Sequence, residues 1–482
     1  MPPKNIFEST NSFQVPPAPQ MPAQNPIGSS PQQLVNQPTN VQAPVKKKYA
    51  KSIFLVVIIL MALILLAGLA YRLLGHRGSR TGQITWWGLW ENQSVVQPLI
   101  SEYESSHPGV KITYVAQSQQ DYRERLTNAL AKGDGPDIFS FHNSWVPMFR
   151  NDLDSLPATV MNPADFAKTF YPVASSDLTL GNSIVGIPLE YDALTLFVNT
   201  DILNAAGLKP PTDWNQLTSP AYLALTKKDD QGVITQSEIA LGRTENVDHW
   251  PEILALMMIQ NGVDLSNPTG PAAEGALTFF TNFSTVYDEW DATLPSSTQA
   301  FASGKLAMYF GPSWRAFEIE QQNPNLKFET VPVPQLPKDN PNEPNITYAT
   351  YWAQGVWSKS PNKAIAWDFL KFLSTQDSLQ KLYKNESATR SFGEPYPRTD
   401  MATLLSDQPV LGSIVSQAPG ARSWYLDSRT FDGPTGINSQ LINYFGDAVN
   451  AVADRKDSAA SALATCAQGV RQVLAQYGLS AK

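Results

Sequence analysis

Glu91, Glu190, Asp192 and Glu245 are acidic residues set among aromatic and amide neighbours, and two such carboxyls facing one sugar ring are what a glycosidase needs. One protonates the departing oxygen while the other activates water or attacks the ring. Carboxylates in a cleft serve equally well as acceptors for solute hydroxyls, so the residue types alone leave hydrolysis and binding open. Other catalytic equipment is missing from the sequence: it has no Gly-x-Ser-x-Gly elbow, no Walker loop and no helix with paired histidines. The four histidines, His76, His107, His142 and His249, are far apart. The single cysteine, Cys466, excludes an intramolecular disulfide or a thiolate metal cluster, and its small-residue helix marks it as a buried, inert thiol. No cofactor and no metal is expected.

Twelve tryptophans are the stronger signal. Sugar rings present C–H faces that lie flat on Trp and Tyr, while their hydroxyls need polar partners. Candidates from the first half of the chain are Trp90, Glu91 and Asn92, then His142, Asn143 and Trp145, then Tyr191 and Asp192. Later in the chain come Glu245, Trp250, Trp314, Trp352 and Trp424. Trp86, Trp357 and Trp367 are assigned to core packing, and His142 is more often a satisfied loop histidine than a ligand.

These residues must be positioned by strand ends. Residues 83–87 read as a first strand, followed by a helical spacing of Val95, Val96, Leu99, Ile100 and Tyr103. His107, Pro108 and Gly109 stop that helix, and 110–115 alternate as a strand does. A second helix with Tyr122, Leu126, Ala129 and Leu130 on one face leads to a buried strand at 137–141. This is β-α-β-α-β, the pattern of a parallel sheet with right-handed crossovers. Farther on, Gly304 closes a helix, 306–310 form a buried strand, and Gly311 and Pro312 break it before Trp314 opens the next helix.

The N-terminal part is of another kind. Residues 1–45 are rich in Pro, Gln and Asn and are expected to be a disordered cytoplasmic tail. Residues 53–71 carry no charge over nineteen positions, about what a bilayer core requires, so 46–74 are expected to be an uncleaved single transmembrane helix with 75–82 as linker. Four lysines ahead of the apolar run against three arginines behind it favour the N-terminus inside. Residues 1–82 hold eight Lys/Arg and one Glu, whereas the remaining 400 hold 27 basic and 42 acidic residues. That acidic balance argues against nucleic acid as partner and suits an extracytoplasmic domain tethered to a membrane.

The first strand, the His-Pro-Gly-Val-Lys-Ile turn at 107–112 and Gly-Asp-Gly-Pro-Asp-Ile at 133–138 resemble the extracellular solute-binding proteins of family 1. These are the receptors of ABC importers, with maltose-binding protein the best-known relative. The resemblance continues through 186–203, Ala206 and Gly207, 210–214, 301–314, Tyr351 and Trp352, and 358–363, and so covers essentially 83–480. It implies a two-lobed α/β fold of the periplasmic-binding-protein-like kind (class II) with three interlobe crossings, near 189–194, 308–311 and 351–356. Lobe one would be 83–190 with 311–350, and lobe two 191–310 with 351–482. It implies a small-molecule solute, an ABC permease as partner, and a monomer. Glu91 and Asn92 match first-loop polar ligands of the family, Asp192 a crossing carboxylate, Glu245 a lobe-two carboxylate and Trp314 the stacking residue. Two departures stand out: the family's lipobox cysteine is absent, and Ser144 and Trp145 replace an acidic and a basic residue of the maltose relative. A carbohydrate is the expected solute, with a peptide or polyamine, a purely sensory surface role and glycoside hydrolysis as alternatives.

Overall fold

The computed structural model describes residues 59–63, 81–338 and 343–479. The expected tail, and all of the expected anchor except 59–63, lie outside the described residues. Residues 59–63 are helical with exposed Ile59, Leu60, Met61 and Leu63. Among the described residues no helix is long and apolar enough to cross a membrane.

From residue 82 onward the chain forms two five-stranded sheets. The first is built from β1 (Gly82–Gly88), β2 (Val110–Ala116) and β3 (Ile138–His142), which are parallel, as the β-α-β-α-β reading requires. A two-residue hairpin, β4 (Thr179–Leu180) and β5 (Ser183–Ile184), precedes β6 (Ile187–Pro188) at the edge of this sheet. The second sheet takes β7 (Thr195–Asn199), β8 (Lys227–Lys228), β9 (Ile234–Ile239), β10 (Leu306–Gly311) and β11 (Phe328–Val331). Its order is β11-β7-β10-β9-β8. The chain then returns to the first sheet as β12 (Trp352–Val356), which lies antiparallel between β3 and β6. Helices cover both sheets: Gln93–Ser106 packs on β2, and Lys363–Leu373 packs on β1 and β12. Ile437–Ala453 and Ala459–Gln476 pack on Pro271–Thr285 in the second half, where Cys466 is buried as expected.

Local chemistry explains the strands. In β1 only Ile84, Trp86 and Gly88 are buried, the alternation of a strand with one face in the core. The one polar residue of β12, Gln354, is buried, and its Oε1 accepts from Trp86 Nε1 at 2.9 Å and from Ser140 Oγ at 3.0 Å. A buried amide oxygen satisfied from two neighbouring strands fixes their register, because losing either donor orphans a buried group.

The expected division of the lobes needs correcting at two places. Met308–Gly311 is not a crossing: β10 is wholly buried between β7 and β9, with Met308 opposite Val198 and Gly311 opposite Thr195. Helix Arg315–Gln322 and β11 therefore stay with the second sheet, against the expected assignment of 311–350 to lobe one. Of 351–482, expected in lobe two, β12 and helix Lys363–Leu373 join the first sheet while the helices from Leu411 onward pack with the second half. The physical reason is that a fully buried strand reads the same in sequence whichever sheet it joins. The chain passes between the sheets at 189–194, again between β11 and β12, and again between the turn Thr399–Leu404 and helix Leu411–Gln417, which packs on β11. The first two passages run side by side. Leu194 N donates to Tyr348 O at 2.8 Å and Thr350 N to Asp192 O at 3.0 Å, while Ala349 N donates to Arg422 O at 2.8 Å. Two hydrogen-bonded passages joining two sheets, with the Arg422 segment bonded alongside them, are the build of a hinge.

Candidate functional site

Beside that hinge lies a cavity of about 430 Å³ between the strand ends of the two sheets. The first lobe contributes Trp90 from the loop after β1 and Trp352 at the start of β12; their rings meet edge to face at 5.5 Å. The second lobe contributes Trp314 and Phe317 from the helix that follows β10, and His249 and Glu252 from the start of helix Trp250–Gln260. Glu190 and Asp192 enter from the first passage, Arg390 and Glu394 from the loop after helix Gln376–Ser387, and Arg429 and Phe431 from the segment before helix Ile437–Ala453.

Trp314 stands at the N-cap of Arg315–Gln322, half-buried, because Gly311 and Pro312 end β10 and release the chain toward the cleft. His249 meets its edge at 5.6 Å, and the Arg315 guanidinium lies 4.5 Å from its ring centre. Arg315 Nε donates to His249 Nε2 at 2.9 Å, which makes that nitrogen the acceptor and leaves the imidazole proton on Nδ1, facing Glu252 Oε1 at 3.4 Å. Burial lowers the His249 pKa, so the ring is neutral. Burial alone would raise Glu252, but donors from His249 and Ser428 outweigh it and keep the carboxyl below its ordinary value. His249 (φ 61°) and Phe431 (φ 52°) both hold left-handed backbone, which side chains of this bulk rarely adopt and which clusters at binding sites.

Asp192 is almost fully committed. Its carboxylate accepts from Ser313 N at 3.0 Å, Ser313 Oγ at 2.8 Å and Ala193 N at 2.8 Å, tying the first passage to the turn after β10. Burial, with Glu394 adding to it, still pushes its pKa up to about 7 against those donors.

Of the residues singled out from the sequence, the cavity brings together Trp90, Glu190, Asp192, Trp314 and Trp352. Glu91 stands behind it, paired with Arg390 at 3.0 Å. The others lie elsewhere. Asn92 is the exposed N-cap of helix Gln93–Ser106. His142 is buried, bonded to Ser144 Oγ and Thr350 Oγ1, with burial driving its pKa down to about 3; it is the satisfied histidine. Trp145 has no exposed surface and stacks on Tyr122 and Phe149, so it is core, not cleft. Tyr191 is buried against Tyr171 and Tyr351. Glu245 is exposed and, among the described residues, accepts only from its neighbour Thr244. Trp250 packs on Gly446 of the C-terminal helices. Asn143 and Trp424 line a different hollow, on the side of Asp177 and Tyr477. Among the described residues no cluster of His, Cys, Asp or Glu is arranged to hold a metal ion.

The second-lobe acids that line the cavity are Glu252 and Glu318, not Glu245, and Pro251 marks the helix start that places Glu252 there. Glu386, Arg390 and Glu394, spaced four apart, were the overlooked charge signal.

The family described as bacterial extracellular solute-binding protein matches residues 98–408. A putative binding protein of Brucella abortus (strain 2308) is 23% identical over 59% of this chain and 69% of its own. The maltotriose-binding protein of Pyrococcus abyssi is 21% identical over 70% of this chain and 76% of its own. Among solved structures, the sugar-binding protein MalE of Xanthomonas citri superposes with a TM-score of 0.66 at 19% identity, over 82% of this chain and 98% of that one. Two α/β lobes, a hinge of hydrogen-bonded crossings and a cleft at the strand ends agree with that match, and the chain belongs to the bacterial extracellular solute-binding protein family.

Proposed function

We propose that this chain is the membrane-tethered receptor of an ABC importer and that it captures a carbohydrate between its lobes for delivery to the permease. The observation that carries the carbohydrate reading is the grouping of Trp90, Trp314 and Trp352 with acidic and guanidinium side chains around one cavity. Indole faces take the apolar faces of a sugar ring, and charged hydrogen-bonding groups at their margins take its hydroxyls. The cavity volume falls within the range of about 300–1,000 Å³ usual for small-ligand clefts. Relatives named for maltotriose and sugar binding support the same class. A solute touching Trp352 from one lobe and Trp314 from the other gains both contacts only when the lobes are close, so binding favours the closed form. Residues 46–74 serve as the transmembrane anchor with the N-terminus inside, on the strength of their uncharged apolar run, and the protein acts as a monomer without catalysis.

The test is a thermal-shift screen of the full-length protein against mono- to tetrasaccharides, dipeptides and spermidine, with the saccharides analysed afterwards for shorter products. A ligand that binds only the folded state raises the melting temperature. We expect a saccharide to do so and to be recovered intact. A shift with spermidine or a dipeptide, and none with any saccharide, would overturn the carbohydrate reading.

A further inference from the structure

Three carboxyl groups beside the cavity share a single guanidinium, and a fourth stands beside them without a partner. Arg390 Nη2 lies 3.0 Å from Glu91 Oε1, 3.0 Å from Glu394 Oε1 and 3.4 Å from Glu386 Oε2. Glu386 Oε2 also accepts from Glu394 N at 2.7 Å. The fourth acid, Glu190, lines the cavity, and no hydrogen bond or ion pair among the described residues reaches its carboxyl group. The other cations of the cavity are already engaged. Arg315 pairs with Asp248 and Glu318 and donates to His249, and Arg429 approaches Asp248 at 3.6 Å. Across the cleft Glu252 keeps its Oε2 without a donor, and Asp427 behind it keeps its Oδ1 without one. The enclosed site therefore holds more acid than base, and one acid that faces the cavity has nothing to bind.

Removing several like charges from water beside one cation is costly unless they are neutralised or matched by a further cation. Burial, with Glu394, Glu386 and Glu91 adding to it, holds Glu190 well above the usual carboxylate range, and burial pushes Glu386 up to about 8. The aromatic wall is also suited to positive charge. Arg390 already lies over Phe317, 5.4 Å from its ring centre, as Arg315 does over Trp314. We propose that the solute carries a cationic amino group, seated beside Glu190 next to the Arg390 cluster, so that the preferred ligand is an amino sugar or an oligosaccharide containing one. The proposal rests on the carbohydrate reading above and adds the charge of the ligand to it.

Calorimetric titration of the full-length protein at pH 6 with glucosamine oligosaccharides, their N-acetylated counterparts and the maltose series separates the two. Acetylation removes the charge and keeps the sugar, so the wild-type comparison needs no variant. We expect the amine forms to bind about tenfold or more tighter than the acetylated ones, and Glu190→Gln to bring the ratio of amine to acetylated affinity close to one. Neutral or acetylated saccharides binding as tightly as the amines would overturn the proposal and leave the carbohydrate reading standing. An undiminished amine preference in Glu190→Gln would overturn the seat beside Glu190. Binding of spermidine with no saccharide binding at all would overturn both the carbohydrate reading and the amino-sugar proposal.

Discussion

Trp314 and Asp192 both meet the turn after β10, one within it and one by hydrogen bonds from the first passage, and do different work. Trp314 is half-buried, with its ring bordered by His249 and Arg315 and its remaining surface in the cleft. Removing it takes away stacking area but leaves β10 and its sheet partners untouched. Trp314→Ala is therefore expected to weaken solute binding by well over tenfold, about 1.4 kcal/mol or more, with an unchanged far-UV circular dichroism spectrum. Calorimetric titration measures the loss, and unchanged affinity would assign the ring to packing. Asp192, by contrast, spends its lone pairs on Ser313 and Ala193. Asp192→Ala orphans the buried Ser313 amide and hydroxyl, and we expect it to cost about 1–3 kcal/mol in urea unfolding of the unliganded protein. A midpoint equal to wild type would show that the turn is held without it. Strand-end tryptophans were legible as a class, yet the sequence could not separate Trp314 from Trp145. Both follow an apolar strand; only the arrival of Tyr122 and Phe149 from other elements buries the second.

At the scale of elements, β9 carries a feature that the cleft does not need. Glu238 has no exposed surface and neither of its carboxyl oxygens finds a donor, while Glu289 lies close by and accepts from Thr226. Burial, then the facing Glu289, pushes Glu238 up to about 9, and burial pushes Glu289 up to about 8, from an ordinary 4.5. Both folded values are raised, so the folded chain binds more protons than the unfolded one between about pH 4.5 and 9. The stability these groups permit is full below the unfolded value and is lost as pH rises through that window. Glu238→Gln removes the larger share, and urea midpoints taken at pH 5, 7 and 9 are expected to fall less steeply than in the wild type. Parallel slopes for the two proteins would mean that Glu238 ionises freely in the folded state. The pair illustrates what element-level reading misses. Helix spacing and alternation located β1, β2 and the helices between the first three strands, because each has one face in the core and one in water. The wholly buried β3 and β10 were legible only as apolar runs, and neither β10 nor β12 carries a mark of the sheet it joins. Glu238, an acid inside such a strand, looks from its sequence like an ordinary solvent-facing residue.

For the molecule as a whole, the sharpest contrast is between the N-terminal 82 residues, net positive, and the 400 that follow, net negative. A receptor that must stay near its permease needs a tether, and the lipid-bearing cysteine that would supply one in the family is absent from this sequence. The apolar run at 53–71 has the length to cross a bilayer, and a spanning helix holds far more firmly than a single acyl chain, which gives only marginal, reversible attachment. The lysines before the run would face the anionic cytoplasmic leaflet, while the acidic solute-binding part would be repelled from lipid headgroups and kept free to open and close. Expressed in a bacterial host, the full-length chain is therefore expected in the membrane pellet and released by detergent but not by high salt or carbonate. A chain lacking residues 46–74 is expected in the soluble fraction, with solute affinity unchanged, since among the described residues the cleft draws none from before Trp90. Release of the full-length protein by salt alone would show that it is held by charge, and a secreted form beginning near Tyr71 would show that the run is a cleaved export signal.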